Sequence, residues 1–271
     1  NFEVYNTAFR AINSHAMRAE ALACTEFSPD LYVVYLGNNE VHGPDSAVQT
    51  TDESIVALRL PLIRARLWAN RLRLIQFLHN TLNPPLSAYS QEPRAHPPKP
   101  VRPDDPRVER AYAIYETNLR DICMAAQNAG AQTVLSTIGV NFRHWRPTDS
   151  FHLRTLPEDA RTEWQAAFQA GKAAQDSEQT QAALDSYRKA QALDDSYAEL
   201  RFRIGECLWR LNQYEPAREE FRQAHELDGF MWVRAKKRVN EIVRATAERQ
   251  REDGVHLADS EKALAERAEH G

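Results

Sequence analysis

The sequence predicts an α/β domain, built on a three-layer parallel sheet, with an all-α helical insertion. Two short apolar runs, residues 31–36 and 133–138, have the composition of buried strands. A helical pattern over 107–128, closed by Gly130, separates them, which is typical of a β-α-β unit with parallel strands. Further along, residues 164–228 repeat with a period of 34 positions, which indicates paired helices.

Composition excludes some classes of partner. The 271-residue chain has a formal net charge of −4, so electrostatics give no reason to expect nucleic acid. It has no apolar run long enough to span a membrane. Cys24, Cys123 and Cys207 are far apart and lie within helical patterns, so we expect buried thiols rather than disulfides or metal ligands.

The first hundred residues carry several further element predictions. Residues 3–6 predict a short strand, and because Met does not begin the sequence, we expect an internal fragment of a longer protein. Residues 54–80 predict an amphipathic helical region interrupted at Pro61, and the eight prolines of 83–106 predict an irregular loop, either a connection or a lid. Residues 12–25 predict a helix with an apolar face of Ile12, Ala16, Ala19, Leu22 and Ala23.

The region after the repeat predicts a return to the sheet. Residues 230–250 form the expected capping helix, 254–259 a strand, and 260–268 a helix capped by Asp259 or Ser260. The apolar stripe of the capping helix is Val233, Val239, Ile242, Val243 and Ala247. We therefore predict an α/β domain over 1–160, a repeat region with its cap over 161–250, and a returning strand and helix over 251–271.

A polar turn, Gly37-Asn38-Asn39-Glu40, follows the 31–36 strand at its carboxyl end, where parallel sheets place their binding crevice. It resembles the third conserved block of the SGNH/GDSL hydrolases. The resemblance implies a flavodoxin-like sheet and makes Asn39 a donor to the oxyanion of an acyl-transfer intermediate. Gly37, Asn38 and Glu40 would support that turn. The alternative is ordinary turn chemistry after a strand.

The segment from Asn6 to Ser14 resembles the second block of the same family. In that family a backbone N–H, normally of glycine, is another oxyanion donor, and Ala11 stands at the glycine position here. Alanine can offer the same N–H if its φ is negative. A helix N-terminus is in any case a favourable place for negative charge.

The nucleophile and the base implied by the resemblance have no counterpart in this segment. Ser46 follows Gly-Pro-Asp, but no strand leads into it. His152 and His256 each match Asp-x-x-His, although that spacing occurs at about the frequency expected by chance. We therefore expect these groups to lie outside the segment, which would be inactive alone. No metal or cofactor motif is present, and Asn141, in the loop after the 133–138 strand, could contact substrate or cap its loop.

The 34-residue period superposes Gly171 on Gly205 and Tyr187 on Phe221. This pattern resembles the tetratricopeptide repeat (TPR) family. Small residues let two helices approach, and the aromatic side chain fills the space between them. The matched positions are Trp164, Gly171, Ala183, Tyr187, Ala190, Gly205, Ala217, Phe221 and Ala224.

Together these patterns favour part of an SGNH-type serine hydrolase acting on an acyl ester, with a TPR insertion whose groove takes a protein or peptide partner. The alternative is a non-catalytic scaffold in which the repeats alone carry the function. A flavodoxin-like nucleotide or sugar binder is a third possibility, but it would need glycine-rich or acidic phosphate contacts at strand ends, which the sequence lacks.

Overall fold

The computed structural model describes residues 3–9, 11–42, 46, 48, 56–69, 72, 75, 100–229 and 234–268. The chain divides into two compact units. The sheet unit combines residues 1–99, 106–137 and 238–258, and the repeat unit combines 100–105, 138–237 and 259–271.

Three parallel strands form the sheet, as the sequence predicts. They are β1 (Leu31–Tyr35), β2 (Gln132–Ser136) and β3 (Val255–Ala258), and they lie in the order β1-β2-β3. Leu31 pairs with Gln132 at one end of the first ladder, and Thr133 pairs with Val255 at the start of the second. The repeat helices lie in the sequence between β2 and β3, so they interrupt the sheet as an insertion.

The predicted burial of β1 is wrong for one face. The side chains of Leu31, Val33 and Tyr35 are 50%, 70% and 57% exposed, whereas Leu135 on β2 is 1% exposed. The alternation arises because, among the described residues, only the face carrying Tyr32 and Val34 is partly covered. An apolar run alone therefore did not show whether one face of the strand or both are buried.

The N-terminal predictions hold only in part. Residues 3–9 are irregular, so the predicted strand at 3–6 is wrong. Helix α1 (Ser14–Cys24) is confirmed, but its buried residues are Ser14, His15 and Ala21 rather than the predicted apolar set, and Leu22 is 38% exposed. The face carrying these three residues is the buried one because hydrogen bonds with polar side chains hold the first turn of the helix, as described below.

Two further helices complete the described part of the sheet unit before β2. Helix α2 (Val56–Ala69) continues through Pro61, so the predicted interruption is wrong. Pro61 costs this helix a backbone hydrogen bond without ending it. Helix α3 (Pro106–Asn128) begins at a proline, which suits a first helical position, and Gly130 follows it with a φ of +77°. The predicted loop residues 83–99 lie outside the described residues.

An acidic side chain ties the three helices together. Asp121 of α3 accepts hydrogen bonds from Arg18 of α1 at 2.6 Å and from Arg64 of α2 at 2.9 Å. The apolar side of α3 is buried as predicted, at Tyr112, Tyr115, Leu119, Ile122, Cys123 and Ala126.

Four helices make up most of the repeat unit: α4 (Glu158–Asp176), α5 (Thr180–Leu193), α6 (Ala198–Arg210) and α7 (Tyr214–Leu227). They form two helical hairpins, which the 34-residue period predicts. Each pair packs through an extensive core of apolar side chains that includes Trp164, Tyr187, Leu200, Ile204 and Phe221.

Two helices follow the repeats. Helix α8 (Lys237–Arg249) lies within the range 230–250 predicted for a capping helix, although a role as cap of the repeats stays a prediction. Its stripe Val239, Ile242, Val243 and Ala247 is buried, while Val233 lies outside the described residues. By its contacts, residues 238–258 group with the sheet unit. Helix α9 (Ser260–Arg267) begins as predicted at Asp259, whose side chain accepts from the Lys262 N–H. None of the helices in the described part of the chain combines the length and hydropathy needed to cross a membrane.

Candidate functional site

The turn after β1 contains a backbone conformation that favours glycine. Gly37 is buried and has a φ of +139°, a value that favours glycine. Asn38 and Asn39 are half-buried, and Glu40 is buried at 4% exposure. The Tyr115 hydroxyl donates to the Leu36 carbonyl at 2.6 Å and so fixes the end of the strand.

Ala11 adopts a left-handed backbone conformation with a φ of +62°. A negative φ was the condition for Ala11 to offer its N–H as a glycine does, and the structure does not meet that condition. An alanine in this region costs about 1 kcal/mol relative to its ordinary conformations, whereas glycine adopts it freely. The position therefore has the backbone requirement of a glycine although it carries a methyl group, and it lies just before the first turn of α1.

A buried carboxylate joins the two segments that contain Ala11 and Asn39. Glu40 accepts hydrogen bonds from the Ser14 N–H at 3.0 Å and from the Ser14 hydroxyl at 2.6 Å. The Asn118 side chain donates to the same hydroxyl at 3.0 Å. Glu40 thereby satisfies an N–H of the first turn of α1, which otherwise has no partner within the helix. The two predicted oxyanion segments are brought together, although the catalytic roles of Ala11 and Asn39 remain predictions.

Burial controls the protonation of this carboxyl. Loss of solvent raises the pKa of Glu40 to about 7, although the hydrogen bonds from Ser14 act in the opposite direction. Burial also raises the pKa of the neighbouring Tyr115 hydroxyl well above its ordinary value. Sequence reasoning missed Ser14 and Asn118 altogether, because neither falls in a recognisable spacing with Glu40.

The other candidate residues of the hydrolase interpretation occupy different settings. Ser46 is buried, and its hydroxyl accepts from the Val48 N–H at 3.3 Å. His256 lies within β3. His152 does not pair with Asp149: its Nδ1 lies 2.6 Å from Asp194 Oδ2 in the repeat unit. The Asp-x-x-His spacing at 149–152 therefore does not form an acid–histidine pair.

Asn141 is exposed in the repeat unit and caps its own loop. Its side-chain oxygen accepts from the His144 N–H at 2.9 Å. This geometry agrees with the loop-capping alternative, and the contact of Asn141 with a substrate remains untested.

The glycines of the two repeats lie directly against aromatic rings. A Cβ on Gly171 would lie 2.4 Å from Tyr187, and one on Gly205 would lie 2.7 Å from Phe221. No side chain larger than hydrogen fits without movement of the ring, so the small-residue explanation of the repeat holds at both sites. The remaining matched positions are buried as well: Trp164, Ala183, Ala190, Ala217 and Ala224.

One side of α6 binds a non-helical part of the same chain. The side chains of Glu199, Phe202, Glu206 and Trp209 recur at intervals of three and four, which places them on one face of the helix. We call these four residues the α6 face. Residues 142–153, which we call the arm, have no regular secondary structure and run along that face.

Arginines of the arm make the side-chain contacts. The Arg143 guanidinium lies over the Trp209 ring, 3.8 Å from its centroid. Arg146 donates to both carboxylate oxygens of Glu206, at 2.8 and 2.9 Å, and lies 5.5 Å from the centroid of the Phe202 ring. Carboxylate and aromatic surfaces are the groups that best receive a planar guanidinium.

The arm backbone is held as well. Asp228 Oδ1 accepts the N–H groups of Thr148 and Asp149 at 2.9 and 3.0 Å. Further along, the Ser150 hydroxyl accepts from the Glu199 N–H, and the Leu153 N–H donates to Ser196 Oγ, both at 2.9 Å. The arm therefore runs antiparallel to α6, from Trp209 near its end to Glu199 at its start, and then reaches the loop before the helix.

Sequence reasoning did not identify the arm. A usable signal exists in the run Phe142-Arg143-His144-Trp145-Arg146, which places aromatic and arginine residues immediately before the first repeat. That run has neither helical nor strand periodicity, so nothing in it indicates which surface it covers.

Comparison with known families supports the repeat. The tetratricopeptide repeat family model matches residues 198–229, which include α6 and α7. Searches of curated proteins and of solved structures found no match for the chain. A tetratricopeptide repeat suggests protein partners. The chain is thus an α/β protein that carries a repeat associated with protein interaction.

Proposed function

We propose that the repeat unit binds an extended segment of another protein along the α6 face. The observation that carries this proposal is the way that face receives an extended backbone. Three of its side chains, Phe202, Glu206 and Trp209, contact two arginines. Beside the face, Asp228 at the end of α7 accepts two consecutive backbone N–H groups of the same segment. Addition of an extended segment through backbone hydrogen bonds and side-chain contacts is a recurring mode of peptide recognition.

A peptide selection tests this function. The bait is the full chain carrying Arg143→Ala and Arg146→Ala, which we call the open-arm variant, because those substitutions remove arm side chains without altering α6. A random library of extended peptides is selected against it. We expect binders whose affinity falls when Glu206→Ala or Trp209→Ala is added to the bait.

The matched control adds Arg161→Ala and Arg218→Ala to the same bait. Arg161 is exposed on α4, and Arg218 is near Glu215 on α7. These changes should leave peptide binding intact. Failure to select any peptide that depends on Glu206 and Trp209 would overturn the proposed function.

A second candidate is acyl-ester hydrolysis by an SGNH-type site to which Ala11 and Asn39 would contribute oxyanion donors. What favours it is the pair of Ser14–Glu40 hydrogen bonds that joins the two segments. The φ of +62° at Ala11 counts against the N–H of that residue as a donor. In this interpretation the acyl oxygen would lie near the start of α1, where the helix dipole stabilises negative charge. No metal or cofactor would take part.

Coding DNA on either side of this segment is the first test of the hydrolase. A Gly-Asp-Ser turn upstream and Asp-x-x-His downstream would supply the nucleophile and the base. In a protein that contains both, Asn39→Ala should lower kcat on a nitrophenyl ester by about 100- to 1,000-fold. The control Asn128→Ala, at an exposed position at the end of α3, should leave kcat unchanged. Flanking sequence that lacks both groups would overturn the hydrolase candidate and leave the repeat function standing.

A further inference from the structure

We infer that the arm is an intramolecular ligand of the α6 face, and that the protein partner is an extended peptide with two arginines which binds by displacing it. The inference rests on the proposed function of the repeat unit. It adds the chemistry of the partner and a means of regulating access to the site.

The contacts of the arm resemble those of a bound peptide. The arm lacks helix and strand, and its backbone groups bond to side chains of the repeats through Thr148, Asp149 and Leu153. The Asp149 carbonyl also accepts from the Gly229 N–H at 2.9 Å. These are the contacts that an extended ligand makes when it lies on a helical surface.

The charges of the α6 face select for arginine. Glu206 accepts from Arg146 and also from the Gln175 amide of α4, which fixes the carboxylate in position. Trp209 offers a flat ring beside it on the same face. A guanidinium can bond to the carboxylate through two N–H groups and stack on the ring, whereas a lysine ammonium is a point charge. The partner should therefore carry arginines rather than lysines.

The arginine contacts of the arm are exchangeable, whereas its two ends are anchored by Phe142 against the His225 ring and by His152 against Trp164 and Asp194. The Arg146 side chain is 59% exposed, and Arg143 is exposed as well. Ion pairs at that exposure are weak, so a competing peptide can replace them. A ligand attached to its site is present at an effective concentration of about a millimolar. A free partner must therefore bind more tightly than the arm does in order to displace it. Free sites are then scarce, and the apparent affinity for a partner falls in proportion.

Direct competition tests the inference. The probe is a labelled synthetic peptide with the sequence of residues 141–154, and its binding to the full chain is measured by fluorescence anisotropy. We expect the open-arm variant to bind it about tenfold or more tightly than the natural sequence does. A chain carrying Arg161→Ala and Arg218→Ala should bind as weakly as the natural sequence. Adding Glu206→Ala and Trp209→Ala to the open-arm variant should abolish the gain.

A second measurement needs no substitution. Hydrogen exchange of the natural chain is followed with and without an excess of the same unlabelled peptide. Displacement should accelerate exchange at the Thr148, Asp149 and Leu153 amides, because their acceptors on the repeats are then lost. A peptide with both arginines replaced by lysine should produce less acceleration at the same concentration.

The outcomes separate this inference from the function on which it rests. Equal binding by the natural chain and the open-arm variant, or no binding by either together with unchanged exchange, overturns the inference. If library peptides still bind the open-arm variant through Glu206 and Trp209, the proposed function stands without it. If no peptide of any sequence binds, both fall.

Discussion

The contacts inside the repeat unit join residues close in sequence, whereas those inside the sheet unit join residues far apart in sequence. In the repeat unit, Gly171 meets Tyr187 within one helical hairpin, and Gly205 meets Phe221 in the same way one repeat later. In the sheet unit, Ser14 reaches Glu40 across 26 positions and Asn118 across 104. Local contacts leave a periodic trace in the sequence, whereas distant polar contacts leave none. This difference explains which parts of the molecule could be predicted.

The largest effect should come from the central strand of the sheet. Leu135→Ala removes a side chain that is 1% exposed and should lower the free energy of unfolding by about 3 kcal/mol, through lost burial and an unfilled cavity. Val33→Ala, on the exposed face of β1, should cost no more than about 0.5 kcal/mol. Urea denaturation measured by circular dichroism compares the two. Similar losses would mean that β1 is covered in solution.

In the repeat unit, the effect of adding a methyl group should depend on local packing. Gly171→Ala places a Cβ against the ring of Tyr187, which cannot swing away easily because its hydroxyl bonds to Gln175 at 2.7 Å. We expect a loss of about 2 to 3 kcal/mol from overpacking. The control is Gly130→Ala in the sheet unit, where a Cβ meets no atom within 4 Å and only the φ of +77° opposes it.

The cost at Gly130 should be about 1 kcal/mol, the usual price of a left-handed backbone for alanine. Thermal unfolding of both variants gives the ranking. A larger loss at Gly130 than at Gly171 would show that backbone strain outweighs helix packing and would contradict the comparison.

Acidification should stabilise the sheet unit through Glu40. Its pKa is raised by burial to about 7 in the folded state, so the stabilising contribution is complete below the unfolded pKa near 4.5 and is lost as the pH rises through 7. Lowering the pH from 7 to 5.5 should therefore add about 1.6 kcal/mol from this group. Glu40→Gln should remove that part of the pH dependence. An unchanged pH profile in the variant would place the titration elsewhere.

The repeat unit should respond to acid in the opposite direction. Burial, followed by the charges of Lys236 and Arg234, lowers the pKa of His225 to about 3. The stability that neutral His225 contributes is complete above the unfolded pKa near 6.5 and is lost as the pH falls toward 3. At pH 5.5 the loss should be about 1.5 kcal/mol.

Replacing His225 by glutamine keeps a donor for the Ala235 carbonyl, which the imidazole Nε2 faces at 2.9 Å, because the glutamine amide reaches the position of that nitrogen. The variant should lose less stability than the natural chain between pH 7 and 5.5, as read from chemical denaturation at each pH. Equal losses would show that other groups carry the acid response of the repeats.

The sequence predicted the repeat helices, α3 with its closing glycine, and all three described sheet strands, because each depends on local periodicity or turn chemistry. It failed at 3–6, where a strand-like composition has no partner among the described residues, and at Pro61, which the helix tolerates. The burial of β1 was wrong because an apolar run does not show whether one face of the strand or both are covered. The Ser14–Glu40–Asn118 network and the arm could not be predicted, because both depend on which distant segments meet.

Joining ligand and receptor in one chain makes the α6 face insensitive to dilution. An arm supplied by a separate molecule would leave as the protein became scarce, whereas residues 142–153 rebind at the same rate at any protein concentration. Occupancy of the face then depends only on the ratio of two affinities and on how much partner is present. The fraction of repeat units bound to partner would thus depend on the concentration of the partner and not on that of the repeat unit.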